Sequence, residues 1–371
     1  MSFFQIPGLY QGMVTQNGGS VRYNKRMERE RYTDLQALSP DERRGYETAR
    51  ENAFYSVLEN PGYLRLRGSD RRAYLQRQTT NDLDLLAPYR CLLTILTSPN
   101  ARILDVLRLF ESKDEDLGEE AIDILTLPGR GLRTLDYFRQ RIFFMDKVSI
   151  EDLSSRSAQV IIDGPRAEEI LEGVGFSGPP RPGEWLGGSA TGAGWMVLNA
   201  GGFAGEGYLV LVPAEGQRAL EDRLTALDAV KISRPVYEIL RVEAGIPGPD
   251  GELTDKYTPF EVGLGHAVSD SKGCYTGQEV LARQVTYDKV TQQVVGLRLE
   301  ASVEPGDPVL VEGRRSGAVT SAVHSPRFGP IALGVVRRPH HSPGTIVEIG
   351  DGEARVTGVV DYLPFPPPKS G

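Results

Sequence analysis

The sequence predicts an α+β protein with two related α+β parts followed by a small β-barrel. Two observations support this prediction. First, one order of elements occurs twice in the first three quarters of the chain: a strand, a glycine and a helix, then further strands, a proline break and a helix. Second, the helical pattern stops near residue 291, and six short apolar runs follow at fairly regular spacing, separated by turn residues.

A capping box marks the first helix. Ser39 takes the N-cap position, Pro40 lies in the first turn and Glu42 completes the box. We therefore expect a helix from this point to about Asn52, in an entry segment that packs on the core.

The first repeat follows this helix. Its alternating and apolar runs predict, in order, a strand at 63–68, a helix at 71–78 and strands at 91–97, 103–110 and 121–127. A turn at 128–131 ends the last strand, and the helix after it is expected to run to about Ile142.

Two parallels identify the second repeat. Residues 160–167 match residues 64–71, since each segment is a strand, a glycine and the start of a helix. Residues 209–216 match residues 122–129, since each is a strand that ends at a proline before a helix. We interpret the pair as the duplication of a strand-helix-strand-strand-helix unit, whose helices cover one face of a sheet.

The six runs of the last part predict the strands of the barrel. They lie at 294–299, 308–311, 317–323, 331–336, 345–349 and 354–360. The predicted organisation is therefore a first α+β part at 1–150, a second at 151–290 and a barrel at 291–371.

Composition and charge narrow the class of protein. Of the 371 residues, 40% are hydrophobic and 25% are charged, as in a globular protein, and the net charge of -8 argues against a nucleic-acid coat. No apolar run is long enough to span a membrane, and the N-terminal residues lack the pattern of a secretory signal. We therefore expect a cytoplasmic protein without a nucleic-acid or membrane partner.

The cysteine count limits the chemistry further. The chain has two cysteines, Cys91 and Cys274, and four histidines, which excludes a disulfide framework and a four-thiolate cluster within one chain. No closely spaced cysteine pair or histidine motif predicts a zinc site. A metal centre held by thiolates would have to be shared with a partner, so we predict no metal site in this chain alone.

One cysteine lies in a distinctive run, Lys272-Gly273-Cys274-Tyr275-Thr276-Gly277-Gln278-Glu279, which we name the cysteine motif. It predicts a turn that opens a helix, with Cys274 near the helix N-terminus and Lys272 two residues before it. Both features stabilise a thiolate. Composition alone leaves open the alternative of a tight turn with a small buried cysteine.

Three further residues are candidates for binding. Asp105 interrupts an apolar strand, and Glu206 lies between glycines in the glycine-rich run 201–208. Carboxylates of this kind suit recognition of a heterocycle with adjacent N–H donors, or the placement of a proton. Arg241, near the end of a helix predicted at 235–244, is the cationic candidate. The glycine-rich run lacks the Gly-Lys-Ser/Thr ending of a phosphate-binding Walker loop.

With these residues in view, the chain resembles the folate-binding family that includes the YgfZ-type proteins of iron–sulfur cluster assembly and the glycine-cleavage T-protein, an aminomethyltransferase. The strongest likeness is to the YgfZ type, because its Lys-Gly-Cys-Tyr-x-Gly-Gln-Glu run is present whole as the cysteine motif. Weaker family-like segments lie at 78–82, 100–105, 202–207, 240–247 and 319–321.

The resemblance implies a ring-like arrangement of two related ferredoxin-like α+β parts and a C-terminal β-barrel, with tetrahydrofolate or a related reduced folate in the central opening. Asp105 matches the aspartate that works on the aminomethyl carrier in T-proteins, and Glu206 matches the glutamate that holds the pterin. Arg241 is a third expected folate contact. Val106 replaces the second of two successive aspartates, and Phe203 with Ala204 replaces a Tyr-Thr pair.

The leading hypothesis from the resemblance is a tetrahydrofolate-binding accessory protein that assists iron–sulfur cluster assembly or repair, with iron–sulfur client or assembly proteins as partners. Cys274 would act as a reactive thiol or a shared ligand, and Lys272 would support its thiolate. The alternative is a folate-dependent aminomethyltransferase, an enzyme of one-carbon transfer. A third hypothesis is a scaffold of the same fold that has lost its ligand.

Overall fold

The computed structural model describes residues 38–114, 117–188, 194–203, 207–352 and 354–366. This part of the chain consists of two β-sheets with their helices and one closed β-barrel. No helix within it is both long enough and apolar enough to cross a membrane.

The first sheet is antiparallel and five-stranded. In chain order, the elements up to residue 152 are α1 (Pro40–Glu51), β1 (Phe54–Val57), β2 (Gly62–Arg67), α2 (Arg71–Gln78), β3 (Cys91–Thr97), β4 (Ile103–Asp114), β5 (Glu119–Thr126), α3 (Gly131–Arg139) and β6 (Ser149–Asp152). The strand order of the sheet is β3-β4-β5-β2-β6. Its core is formed by leucines, isoleucines and aromatic residues of the strands together with α2 and α3.

The second sheet repeats this plan. Its elements are β7 (Ser157–Asp163), α4 (Ala167–Val174), β8 (Trp185–Gly188), β9 (Trp195–Asn199), β10 (Tyr208–Pro213), α5 (Gln217–Ala226) and β11 (Val230–Lys231). The strand order is β11-β1-β7-β10-β9-β8, with a parallel pair only between β1 and β11 among the described pairings. β1 precedes the first repeat yet lies in the second sheet, so the two sheets are not built from separate halves of the chain.

The two repeats correspond element by element. The order β2-α2-β3-β4-β5-α3-β6 recurs as β7-α4-β8-β9-β10-α5-β11. Three strands separate the two helices of each repeat, as predicted strand by strand for the first repeat. The summary unit of strand-helix-strand-strand-helix was therefore one strand short. β3 lies at the edge of the sheet and is joined to β2 through successive antiparallel pairings, β3 with β4, β4 with β5 and β5 with β2.

Local signals fix the ends of the first helix. The Ser39 hydroxyl accepts a hydrogen bond from the Glu42 backbone at 3.2 Å, and the Glu42 carboxylate accepts one from the Ser39 backbone at 3.0 Å. The predicted capping box is therefore confirmed, and α1 ends at Glu51. By contrast, α3 ends at Arg139 rather than near Ile142, because a tight turn follows it.

The remaining elements are α6 (Arg234–Glu243), α7 (Gln278–Thr286), β12 (Gln292–Leu299), β13 (Pro308–Val311), β14 (Arg314–Ser325), β15 (Gly329–Arg337), β16 (Ile346–Ile349) and β17 (Val356–Asp361). Short 3-10 helices lie at Leu83–Leu85, Ser154–Arg156, Ala214–Gly216, Pro259–Val262 and Gly265–Ala267. The last six strands close into a barrel in the order β12-β15-β14-β13-β16-β17. The predicted α+β fold with a C-terminal six-stranded barrel is confirmed.

The segment between α6 and α7 joins the first sheet to the barrel. Leu253 and Tyr257 from this segment share a buried cluster with Ile95 and Ile103 of the first hairpin and Val335 of β15. The Ile103 backbone also donates to the Tyr257 carbonyl at 3.0 Å. These contacts bring the cysteine motif, which lies at the end of the segment, against the β3–β4 hairpin.

Candidate functional site

The cysteine motif is a turn that docks on the β3–β4 hairpin and opens α7. Gly277 is the N-cap residue and has a φ of 86°, a left-handed conformation that favours glycine. A Cβ at this position would lie 2.8 Å from the Ser98 carbonyl oxygen and 3.1 Å from the Ala101 Cα. The Thr97 hydroxyl donates to the Thr276 carbonyl at 2.6 Å. Close backbone approach therefore explains the glycine at 277.

Lys272 fastens the other end of the motif. Its side chain is buried, and its ammonium nitrogen donates to the carbonyls of Thr79 and Asn81, each at 2.7 Å. The same nitrogen lies 5.1 Å from the ring centroid of Tyr275. Burial lowers the pKa of Lys272 to about 8, and the Asp82 carboxylate opposes this shift. The ammonium anchors the motif, and its support of a Cys274 thiolate stays a prediction.

Cys274 is exposed, three residues before the N-cap of α7. The alternative of a small buried cysteine in a tight turn is therefore wrong. The next residue, Tyr275, is buried with Ala101 and Leu281 and holds the backbone beneath the thiol. A Cβ on Gly273 would meet no atom within 4 Å, so the space beside Cys274 is open on this side.

The other cysteine has a different environment. Cys91 begins β3 and is half-buried in a cluster with Phe110 and Trp185. Burial raises the pKa of the Cys91 thiol to about 11, and the nearby Arg108 opposes the shift only in part. It is a packing residue, so its replacement is a control for replacement of Cys274.

Asp105 lies on β4 and is completely buried. Its carboxylate accepts hydrogen bonds from the Val106 backbone at 2.8 Å, from the Leu127 backbone at 3.1 Å and from the Thr134 hydroxyl. Burial raises the pKa of Asp105 to about 6, against the lowering effect of these donors and of Arg130. Asp105 thus ties the hairpin to β5 and α3. A folate contact at Asp105 would have to compete with three protein donors, and it stays a prediction.

Arg241 lies on α6, and its side chain is 5% exposed. Its guanidinium donates to the Ile246 carbonyl at 2.7 Å, to the Ser321 hydroxyl at 2.9 Å and to the Glu238 carboxylate at 2.6 Å. It also lies 3.5 Å from the buried Glu252 carboxylate. Arg241 therefore clamps α6 and the loop after it to the barrel, and its contact with folate stays a prediction.

Glu206, the predicted pterin contact, lies outside the described residues. The neighbouring part of its loop is held by Asp163, at the end of β7. The Phe203 backbone donates to the Asp163 carboxylate at 2.7 Å, and a Cβ on Gly202 would lie 2.9 Å from both carboxylate oxygens. Glycine at 202 therefore lets the loop backbone approach the sheet closely.

An aromatic and cationic group beside this loop was missed by the sequence analysis. The Phe203 ring stacks on the Phe54 ring, with 6.1 Å between the ring centroids, and meets the Tyr237 ring edge-on, with 4.9 Å between the centroids. Arg108 on β4 is half-buried, and its one hydrogen bond among the described residues is to the Ala200 carbonyl at 3.4 Å. Burial raises the pKa of Tyr237 to about 12, so its hydroxyl stays protonated. In the sequence, the one indication of this group is Arg108, an arginine within the apolar strand predicted at 103–110.

Comparisons with known proteins agree with this architecture. A family model described as the GCVT N-terminal domain matches residues 12–272, and the glycine cleavage T-protein C-terminal barrel domain matches residues 292–365. The putative transferase At1g60990, chloroplastic, of Arabidopsis thaliana is 29% identical over 312 residues, which are 83% of this chain and 70% of the relative.

Other relatives carry the name aminomethyltransferase. The protein of Rippkaea orientalis is 27% identical over 83% of this chain and 85% of its own length, and that of Bacillus subtilis is 25% identical over 86% and 89%. The crystal structure of the glycine cleavage system aminomethyltransferase T from Bartonella henselae superposes with a TM-score of 0.76. It is 21% identical, with coverage of 87% of this chain and 89% of that one, and so supports the fold alone. Since the N-terminal domain model covers more than half of the sequence, the chain belongs to the glycine cleavage T-protein (GcvT) family.

Proposed function

We propose that this chain is a tetrahydrofolate-binding accessory protein of the YgfZ type, which assists the assembly or repair of iron–sulfur clusters through Cys274. One observation carries the proposal: an exposed thiol lies on a turn that is fastened on both sides. Lys272 anchors the turn before the thiol, and Gly277 packs against the hairpin after it. Because the turn is already fixed, a partner that binds the thiol would lose little conformational entropy of this segment.

The chemistry of a thiol suits this role. A thiolate is both a nucleophile and a strong ligand for iron. Among the described residues, no group of three or more His, Cys, Asp or Glu side chains is arranged to hold a metal ion. A cluster ligated by Cys274 would then draw its other ligands from a partner, which is the behaviour of an accessory protein.

The residues near the glycine-rich loop fit a folate. A reduced folate offers a pterin ring for aromatic contact and glutamate carboxylates for a cation. Phe203 and Tyr237 supply aromatic faces, and half-buried Arg108 supplies a cation without a carboxylate partner in the described part of the chain. We infer that these three side chains, with Glu206, would hold the folate. When bound, the folate supplies the capacity to carry a one-carbon group.

Calorimetric titration with tetrahydrofolate tests the ligand. We expect saturable binding that is weakened at least about tenfold, or about 1.4 kcal/mol, in Arg108→Met and in Glu206→Ala. Arg234→Met serves as the control, because this arginine is largely exposed at the start of α6 and pairs with Glu59 and Asp250. Absence of any binding by the wild-type chain would favour the third hypothesis, a scaffold without ligand.

Replacement of the thiol tests the accessory role. In cells whose own copy of the gene is deleted, we expect wild type and Cys91→Ala to restore the activity of an iron–sulfur enzyme and Cys274→Ser to fail. Tetrahydrofolate binding by purified Cys274→Ser should be unchanged, which separates the thiol from the folate site. Full restoration by Cys274→Ser would overturn the proposed role of the thiol.

The names of the relatives favour a second function, aminomethyl transfer. Against it, Val106 stands where T-proteins often have a second aspartate, and the Asp105 carboxylate is engaged by protein donors. An assay of methylene transfer from an aminomethyl-lipoyl carrier protein to tetrahydrofolate separates the two. Sustained turnover that depends on Asp105 would favour the transferase.

A further inference from the structure

The turn after α3 exposes three consecutive apolar side chains. Phe143 is 64% exposed, Phe144 98% and Met145 72%. We name residues 143–146 the Phe144 turn. Single exposed apolar residues are common on protein surfaces, whereas a contiguous apolar patch marks a contact with another molecule.

Hydrogen bonds hold this turn in its exposed conformation. The Asp146 backbone donates to the Phe143 carbonyl at 2.9 Å, and the Asp146 carboxylate accepts from the Phe143 backbone at 3.0 Å. The Arg77 guanidinium donates to the other oxygen of the same carboxylate at 2.8 Å. The turn therefore has fixed geometry, with Phe144 and Met145 at its two central positions.

The residues that flank the turn in sequence are mostly cationic. Between residues 139 and 147 the chain has three basic residues, Arg139, Arg141 and Lys147, and one acid, Asp146. The acid is paired with Arg77, whereas none of the three cations has a carboxylate partner in the described ranges. This rim contrasts with the net charge of -8 of the whole chain.

Two short series of contacts connect the turn to the cysteine motif. Arg77, the partner of Asp146, lies two residues before Thr79, whose carbonyl accepts from Lys272. On the other side, the Tyr137 hydroxyl of α3 donates to the Thr97 carbonyl at 3.5 Å, and Thr97 in turn binds the motif. The exposed apolar turn and the exposed thiol thus belong to neighbouring, mutually braced segments.

We propose that the Phe144 turn is the docking element for a partner protein that presents an apolar pocket rimmed by carboxylates. This inference rests on the proposed function, because it identifies the surface that would hold the partner of Cys274. Charge complementarity selects an acidic partner, since Arg139, Arg141 and Lys147 flank the apolar tip in sequence and have no carboxylate partner in the described ranges. A two-fold dimer through this turn is disfavoured, because it would set two cationic rims against each other.

Peptide selection tests the chemistry of the partner. The probe is a displayed library of random linear peptides, selected on the wild-type chain and counter-selected on Phe144→Ser. We expect the enriched peptides to combine an apolar residue with flanking Asp and Glu. A synthetic version should bind wild type at least about tenfold more tightly than Phe144→Ser, as expected for burial of one aromatic side chain. Arg139→Glu should also weaken binding, and raised salt should weaken it further.

The control is Tyr362→Ser, which removes another largely exposed aromatic side chain (67%), from the end of the barrel, and should bind the peptide like wild type. The proposal is overturned if no Phe144-dependent peptide emerges or if the enriched peptides are basic. It is also overturned if sedimentation shows a dimer lost in Phe144→Ser, or if vesicles of phosphatidylcholine and phosphatidylglycerol bind the chain through Phe144. The peptide should also bind Cys274→Ser in the absence of folate. Docking at the Phe144 turn can therefore be tested even if the proposed role of the thiol or of folate fails.

Discussion

Replacement of Lys272 by methionine separates burial of a charge from anchoring of the cysteine motif. Methionine has a similar length and fills the same space, but it donates no hydrogen bond. The change removes the two bonds to the Thr79 and Asn81 carbonyls and the contact of the ammonium with the Tyr275 ring. It also removes the positive charge that the Lys272 ammonium places in this buried position.

The two effects oppose each other at neutral pH. Two hydrogen bonds to a charged donor are worth about 1.5–3 kcal/mol each, or about 3–6 kcal/mol together. The lowering of the Lys272 pKa from 10.5 to about 8 corresponds to a penalty of about 3.4 kcal/mol for the buried charge. We therefore expect Lys272→Met to lower the free energy of unfolding by no more than about 2.5 kcal/mol near neutral pH.

The pH dependence is the sharper test. The pKa of Lys272 is lower in the folded chain, about 8, than its ordinary 10.5, so the unfolded chain binds more protons between these values. The stability of the folded chain must then rise with pH through this window. Relative to Lys272→Met, wild type should gain about 2.5 kcal/mol between about pH 7 and about pH 10.

Urea unfolding of both proteins at a series of pH values measures the difference between their free energies of unfolding. All other titrating groups are shared by the two proteins, so their contributions cancel in this difference. Lys289→Met is the control, because Lys289 is exposed and its removal should leave the difference from wild type flat. A flat difference for Lys272→Met as well would refute the burial argument. In the same variant, the rate of alkylation of Cys274 by iodoacetamide reports whether Lys272 also supports the thiolate, since loss of that support slows the reaction.

Three further predictions use the same unfolding assay. Gly277→Ala should cost about 2 kcal/mol or more, because its Cβ would lie 2.8 Å from the Ser98 carbonyl at a φ of 86°, whereas Gly273→Ala should stay within about 0.5 kcal/mol; equal losses would contradict this. Because the pKa of Asp105 is raised from 3.8 to about 6, the folded chain binds more protons between these values. The stability of wild type relative to Asp105→Asn should therefore fall by about 2.5 kcal/mol from about pH 4 to about pH 7, and an opposite slope would refute the burial of its charge. Arg241→Met should cost about 3–5 kcal/mol by leaving the buried Glu252 without its cation, and a loss below about 1 kcal/mol would exclude the clamp role.

Features set by neighbouring residues could be predicted from the sequence. The capping box of α1 involves residues three apart, and the six barrel strands follow from local alternation and turn residues. The duplication was also visible, because each repeat keeps its order of strand, glycine and helix. The placement of β1 in the second sheet was not, because its pairing with β7 joins residues about a hundred positions apart in sequence and leaves no local pattern.

The partners of the candidate site residues could not be predicted for the same reason. Thr134, which donates to Asp105, is 29 positions away, and Ser321, which accepts from Arg241, is 80 positions away. An isolated carboxylate or arginine in an apolar segment therefore marks a buried polar group, and the sequence leaves open whether protein or ligand satisfies it. Here protein groups satisfy both residues, while half-buried Arg108 has a single long hydrogen bond in the described ranges.

Two residues of the cysteine motif, Lys272 and Cys274, lie two positions apart and have different roles. Lys272 is buried and directs its ammonium to the carbonyls of the segment that follows α2, whereas Cys274 is exposed. Burying the lysine charge has a cost that an apolar side chain of the same size would avoid. Two carbonyls at the end of α2 would, however, lack a donor without it. The lysine therefore fixes the register of the motif on the first sheet, and that register determines where the thiol is presented.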